Sequence, residues 1–261
     1  MELDLASFKS VRNFAETWKK DVRRPIDLLC CNAGLALGQG DEEPKRTEDG
    51  FELTVGTNHL GHFLLVDLLQ EELSANARVV VTASSVHDPA AGDPGAQASL
   101  GDLSGLASKA AMVDGSPYNA AKAYKDSKLC NVLFTLELAR RLKSKGSKVT
   151  ANCFSPGLIP SPTFFRNQNE GFAKAFAWLT TNVIRISETP EFGGDALVFM
   201  GLDPSLDGRS GNFYSAIPPG RHTFVEKTVS PEAASEAEAA ALWAKSAALV
   251  GCERKQPMCA V

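Results

Sequence analysis

The segment Tyr118-Asn-Ala-Ala-Lys122-Ala-Tyr124-Lys125-Asp126-Ser127-Lys128 holds two of the chain's three tyrosines and writes Tyr-x-x-x-Lys twice, in overlapping frames. On a helix, residues four apart share a face. An ammonium held beside a phenol stabilises the phenolate, lowers the phenol's pKa and makes it a usable proton donor or acceptor. Taken alone, the same pattern also fits a solvated helix face, because helices are rich in lysine. His59 and His62 stand three apart like a metal pair, but no third ligand has suitable spacing, and no metal is expected. Adjacent Cys30 and Cys31 cannot form a C-x-x-C site, and with Cys130 they read as packed thiols.

These groups need elements to position them. Leu5, Phe8, Val11, Ala15 and Trp18 recur at helical spacing with Asp4 placed to cap, and Ile26 to Cys31 is a short apolar run that stops at Asn32-Ala33-Gly34. A helix from about Glu48 to Leu73 leads to the strand Arg78 to Thr82, which ends at Ala83-Ser84-Ser85. A helix over roughly Ala120 to Lys145 leads to the strand Lys148 to Phe154, which ends at Ser155-Pro156-Gly157. Beyond these the pattern predicts a helix from Ser187 to Leu202, a last strand from Gly211 to Ser215 and a helix from Pro231 to Val250. Strands alternating with helices mean a parallel sheet covered on both faces, with ligands outside the carboxyl ends of the strands, where all three small-residue loops lie. No linker or repeat divides the chain, so residues 1–251 are expected to form one domain and 252–261 a frayed tail.

Composition narrows the partners. With 261 residues, 44% apolar and 22% charged, the chain can bury a full core, and 27 basic against 31 acidic residues leave no footprint for nucleic acid. No stretch is long and apolar enough for a membrane span. Six scattered cysteines fit a reducing compartment better than secretion. The N-terminus shows neither a signal peptide nor a transit peptide.

Taken together, Asn32-Ala33-Gly34, Asn58-x-x-Gly61-x-Phe63, Ser84-Ser85, Ala-Tyr124-x-x-Ser127-Lys128-Leu-x-Asn131 and Pro156-Gly157, in that order, resemble the short-chain dehydrogenase/reductase superfamily. The resemblance implies a Rossmann-like, doubly wound parallel sheet. It also implies a catalytic set of Asn58, Ser85, Tyr124 and Lys128, with Ser84 the alternative to Ser85, and it favours Tyr124 over Tyr118 because Ser127 flanks only the former. A cofactor would be contacted by Asp4, Asn32, Ala33, Gly34, Tyr124, Lys128, Pro156 and Gly157. The long insert AQASLGDLSGLASKAAMVDG between serine and tyrosine, with GFELTVGTNHLGHFLL, AKAYKDSKLCN and ETPEFGGDAL, is similar to the light-dependent NADPH:protochlorophyllide oxidoreductases.

That family implies light-driven hydride transfer from NADPH to one carbon of the C17–C18 double bond of protochlorophyllide and a proton from Tyr124 to the other. It further implies a plastid location, peripheral membrane association and a place in chlorophyll synthesis. The aromatic segment Thr163 to Ile186, with Phe164, Phe165, Phe172, Phe176 and Trp178, falls where the family has a substrate lid, and fits equally a helix pair packed on the body.

Two departures stand out: Leu158 occupies the slot of a family cysteine, with Pro162 and Thr163 near that of a nicotinamide-contacting threonine, and no strand with a Gly-rich turn precedes Leu3-Asp4-Leu5. The chain therefore reads as lacking the family's first strands at its N-terminus. Weak NADPH binding and self-association through an open edge at Ile26 to Cys31 follow as expectations. A general NADPH-dependent carbonyl or retinoid reductase, and a pigment-binding remnant without catalysis, are the competing readings.

Overall fold

The computed structural model describes residues 1–38, 43–160 and 170–252, without the side chains of residues 170 and 172. Thr163, Phe164, Phe165 and residues 253–261 of the expected tail lie outside the described residues, as does Pro162.

Ser7, rather than Asp4, caps the first helix, α1 (Phe8–Thr17), by accepting from Ser10 N; the Asp4 carboxylate takes the local Ala6 N–H. β1 (Ile26–Cys31) follows a wide turn at Trp18–Val22. The helix expected from Glu48 is shorter, because residues 47–50 form a turn and Glu52 caps a three-residue α2 (Leu53–Val55) through Thr54 N and Val55 N. A π-type turn over Gly56–Gly61 then leads into α3 (His62–Leu69). β2 (Leu73–Thr82) starts earlier than its β-branched run, and a short α4 (Ser104–Ser108) lies inside the insert. Asn119 caps the long α5 (Ala120–Ser144), which leads to β3 (Thr150–Ser155). After α6 (Glu170–Trp178) come α7 (Pro190–Leu202), β4 (Phe213–Ala216), β5 (Phe224–Lys227) and α8 (Glu236–Leu249).

The strands form one sheet in chain order, β1-β2-β3-β4-β5; the first four are parallel and β5 returns antiparallel along β4. β5 has no counterpart in the sequence reading. Its segment, Phe-Val-Glu-Lys, is short and half charged, and it is held by main-chain pairing with β4 at an edge. Among the described residues β1 pairs on one side only, so it forms the opposite edge.

Alternation along each strand divides the core in two. Cys31, Val81, Cys153 and Phe213 lie in one cross-strand row and pack towards α1, α3, α5 and α8. Val80, Phe154 and Tyr214 face the other way, onto Ala196 and Met200 of α7. Burial on both faces explains why β2 and β3 read as continuous apolar runs, while β1 at the edge leaves Cys30 exposed. Phe63, Phe134 and Trp243 form an aromatic knot where α3, α5 and α8 meet, with ring centroids 4.9 to 5.7 Å apart.

The insert is packed tightly onto this body. Ala98, Leu100, Leu103, Leu106 and Val113 join the larger core, Leu100 N donates to Glu232 at 2.8 Å, and Ser99 N donates to Asp126 of α5 at 3.0 Å. Lys122 closes the joint by binding Asp126 at 2.7 Å, Asp114 at 3.0 Å and Ser99 O at 2.9 Å. The insert thereby fixes the first turns of α5. Gly105 is the tightest point, where a Cβ would lie 1.9 Å from Met112 O and 2.5 Å from Gly115 N. Gly105→Ala should therefore destabilise the chain by roughly 2–4 kcal/mol in urea unfolding. Gly194→Ala, where a Cβ would meet nothing within 4 Å inside α7, should instead gain a few tenths to about 1 kcal/mol. Equal effects would show that the insert does not pack as described.

Candidate active site

Asn58 sits in the π-type turn ahead of α3, where the widened backbone frees its carbonyl to accept the His62 Nδ1–H at 3.0 Å. Its side chain is fully buried and fully used. Oδ1 accepts from Leu35 N at 2.9 Å, and Nδ2 donates to Leu35 O at 2.9 Å and to Ser127 Oγ at 3.0 Å. One amide therefore ties the loop after β1 to α5. Gly34 allows the close approach, since a Cβ there would lie 3.1 Å from Asn58 Oδ1 and 3.7 Å from Lys128 Nζ.

α5 brings Tyr124 and Lys128 to this point. The Lys128 ammonium lies over the Tyr124 ring, 5.4 Å from its centroid, and donates to Thr82 O at 3.2 Å, an oxygen shared with Asn131 Nδ2 at the same distance. Burial dominates both titrations. It pushes the Tyr124 phenol up to about 12, against the lowering effect of a hydrogen bond with Ser84, and pulls the Lys128 ammonium down to about 8. The simple expectation of a phenol acidified by its lysine is thus reversed in this state. At neutral pH Tyr124 keeps its proton and is poised to give it.

The serine beside the phenol is Ser84. The Ser84 main chain is held by His87, whose Nδ1–H donates to Ser84 O at 2.7 Å while Nε2 accepts from Ser230 N at 3.3 Å. Ser85 turns towards Ser155 and Ser215, with oxygens 3.2 and 2.9 Å away. The resemblance puts Ser85 in this place with Ser84 as the alternative, whereas here it is Ser84 that meets the phenol; His87, Ser155 and Ser215 carried no spacing signal at all.

Tyr118 is not an equivalent of Tyr124. It precedes the Asn119 cap and lies outside α5, while Lys122 is engaged with Asp114 and Asp126. His59 and His62 are buried, neutral imidazoles, lowered by burial to about 3 and about 4. His59 reaches Ser246 Oγ at 2.9 Å rather than a partner ligand, and among the described residues no cluster suits a metal ion.

At the remaining strand ends, Asn32 is exposed and accepts from Thr82 Oγ1 at 2.8 Å; Ala33 is exposed too. After Pro156, Gly157 takes φ +85°, and a Cβ there would lie 2.6 Å from Glu188 Cγ. Leu158 O accepts from Glu188 N at 2.8 Å, tying this loop to the segment before α7. Asp4 is exposed on the approach to α1, where its carboxylate accepts from Ala6 N at 2.9 Å. Of the aromatic segment, Trp178 is exposed, as are Leu179, Val183 and Ile184.

Known proteins resemble this chain in sequence and in fold. No family model matches the chain. The protochlorophyllide reductase of Daucus carota, named chloroplastic, is 37% identical over 263 residues, covering 96% of this chain and 65% of its own length. That of Chlamydomonas reinhardtii is 36% identical over 262 residues, covering 96% and 64%. The chain thus spans a little under two thirds of these relatives. Among solved structures, an uncharacterised protein of Mycobacterium paratuberculosis superposes with TM-score 0.67 and 30% identity, over 96% of this chain and 75% of that one. A short-chain dehydrogenase of Burkholderia cenocepacia in complex with NADP gives 0.55 and 20%, over 85% and 75%, a likeness of fold. The architecture is that of the short-chain dehydrogenases/reductases. Within that fold, the chain is similar in sequence to the protochlorophyllide reductases.

The depressed Lys128 carries a stability consequence. Between about 8 and the ordinary value of 10.5 the unfolded chain holds more protons than the folded one, so this group makes stability rise with pH across that window. Lys128→Met should therefore stabilise the chain at pH 7 by roughly 1–3 kcal/mol. Denaturation measured from pH 7 to pH 10.5 should show that gain shrinking; a loss at pH 7 would contradict the buried, unfavourable ammonium.

Proposed function

We propose that the chain is an NADPH-dependent oxidoreductase that reduces the C17–C18 double bond of protochlorophyllide under light, acting in the plastid. The observation that carries this reading is the half-buried Tyr124 phenol, protonated at neutral pH, hydrogen-bonded by Ser84 and overlain by the Lys128 ammonium at the carboxyl ends of a parallel sheet. Relatives at 36–37% identity bear the matching name.

The residues present fit the ribose and nicotinamide half of NADPH. Lys128 and Tyr124 would hold the ribose, with Asn32, Ala33 and Gly34 on one side and Pro156 and Gly157 on the other. Gly157 turns the loop at φ +85° and lets its backbone pack against Glu188 and Ala216, where a Cβ would collide. Among the described residues no strand runs through a glycine-rich turn into a helix, so they do not supply the pyrophosphate cradle. When bound, NADPH supplies the hydride.

The protein's own part is the proton. Ser84 orients the phenol and accepts or donates as charge changes on it, and Tyr124 delivers its proton to the carbon that does not receive hydride. The Lys128 charge above the ring stabilises the phenolate left behind. Asn58 holds the loop carrying Gly34 against α5, which keeps Lys128 in place. The open outer edge of β1 supports the further reading that the chain self-associates.

Illumination with protochlorophyllide and saturating NADPH should convert the pigment's absorption to that of the reduced chlorin. Tyr124→Phe should lower turnover by roughly 100- to 10,000-fold while leaving pigment binding nearly intact. Ser84→Ala should cost more than Ser85→Ala, and Tyr118→Phe little. Full turnover in Tyr124→Phe would overturn the assignment of the proton donor.

A further inference from the structure

Lys125 has no role in the chemistry above, yet it is the residue next to the proton donor and its side chain is only 4% exposed. Its ammonium is bound by Asp93 Oδ2 at 2.7 Å and by Pro94 O at 2.8 Å. The counter-ion is the less fixed partner, since the Asp93 side chain is 42% exposed. Asp93 and Pro94 form a strap between Gly92 and Gly95, which take φ +75° and +84°, and a Cβ on either would meet nothing within 4 Å. The tip is closed on itself by the Gln97 amide, which donates to Asp93 O and Gly95 O at 2.9 Å each. The bonds tying it to α5 come from the Lys125 ammonium. The strap also lies close to the phenol, because the Asp93 charge reaches Tyr124.

A buried ammonium needs an anion. Here that anion sits on a glycine-flanked strap and can return to water at little cost. We propose that Lys125 is a carboxylate-binding subsite of the substrate pocket and that Asp93 is its internal stand-in, displaced when an acidic side chain of the substrate takes its place. This rests on the function proposed above and names the part of the substrate that is held. The free propionate of protochlorophyllide hangs from C17, one of the two carbons of the bond reduced. Its anchor must therefore lie in the neighbourhood of the proton donor, and the Lys125–Asp93 pair stands there: Lys125 is one position along α5 from Tyr124, and the Asp93 charge acts on the Tyr124 phenol. The exchange swaps one carboxylate for another, so no net charge is buried. It would open the strap over Tyr124 as the substrate seats.

The test compares protochlorophyllide with its C17-propionate methyl ester, using fluorescence titration of binding in the dark. Wild type should bind the acid about tenfold or more tightly than the ester, as loss of a charged hydrogen bond predicts. Lys125→Gln should bring the acid down to the ester's affinity and leave the ester unchanged. Lys125→Arg should keep most of the discrimination, and Asp93→Asn should tighten binding of the acid alone by removing its competitor. An acid-to-ester ratio unchanged in Lys125→Gln and Asp93→Asn would overturn the subsite while leaving the proposed reaction standing. Failure of wild type to bind either pigment would overturn both.

Discussion

The Asn58 side-chain amide is the joint on which the site depends. A buried amide left unpaired costs on the order of 1–3 kcal/mol, so its polar atoms must find partners. Here those partners come from the loop after β1 and from Ser127 of α5. The same bonds that satisfy Asn58 therefore set the distance between the first strand end and the long helix. Gly34 can stand against Lys128 because of that spacing. The π-type turn is part of the device. It turns the Asn58 carbonyl to His62 and away from a regular helical bond, and so aims the side chain inward.

Around that joint, burial does most of the electrostatic work. It keeps the Tyr124 proton on, weakens the hold of Lys128 on its proton and leaves His59 and His62 neutral. These are unfavourable places for charge, and the fold meets them with main-chain carbonyls and hydroxyls rather than with ion pairs. The insert acts at a distance from this chemistry. Its contribution is the Asp114–Lys122–Asp126 bridge and the Ser99 contacts, which hold the first turns of α5 from the side away from Asn58.

Much of this was legible in the sequence, and for identifiable reasons. The parallel strands buried on both faces announce themselves as short apolar runs, and each ends in small residues because a ligand-facing loop needs close backbone approach. α5 was readable to within a residue, since Asn119 caps it and no breaker interrupts it. Other features depend on tertiary contact. β5 exists because β4 offers an edge, Ser84 and Ser85 differ only in which way the backbone turns, and His87 acts through a contact with Ser230 far along the chain. Asp4 looked like a cap because Ser7, the residue that does the work, lies only three positions on.

The order of the strands has a consequence for how the molecule is made. Because sheet order and chain order coincide among the described strands, each of these parallel strands adds beside the one synthesised before it. Asn58, Ser84, Tyr124 and Lys128 all lie ahead of β3. The residues of the proton-handling centre have therefore all emerged while the ribosome is still building the half of the sheet that completes the outer wall. Among the described strands, the growing end of that sheet moves away from β1.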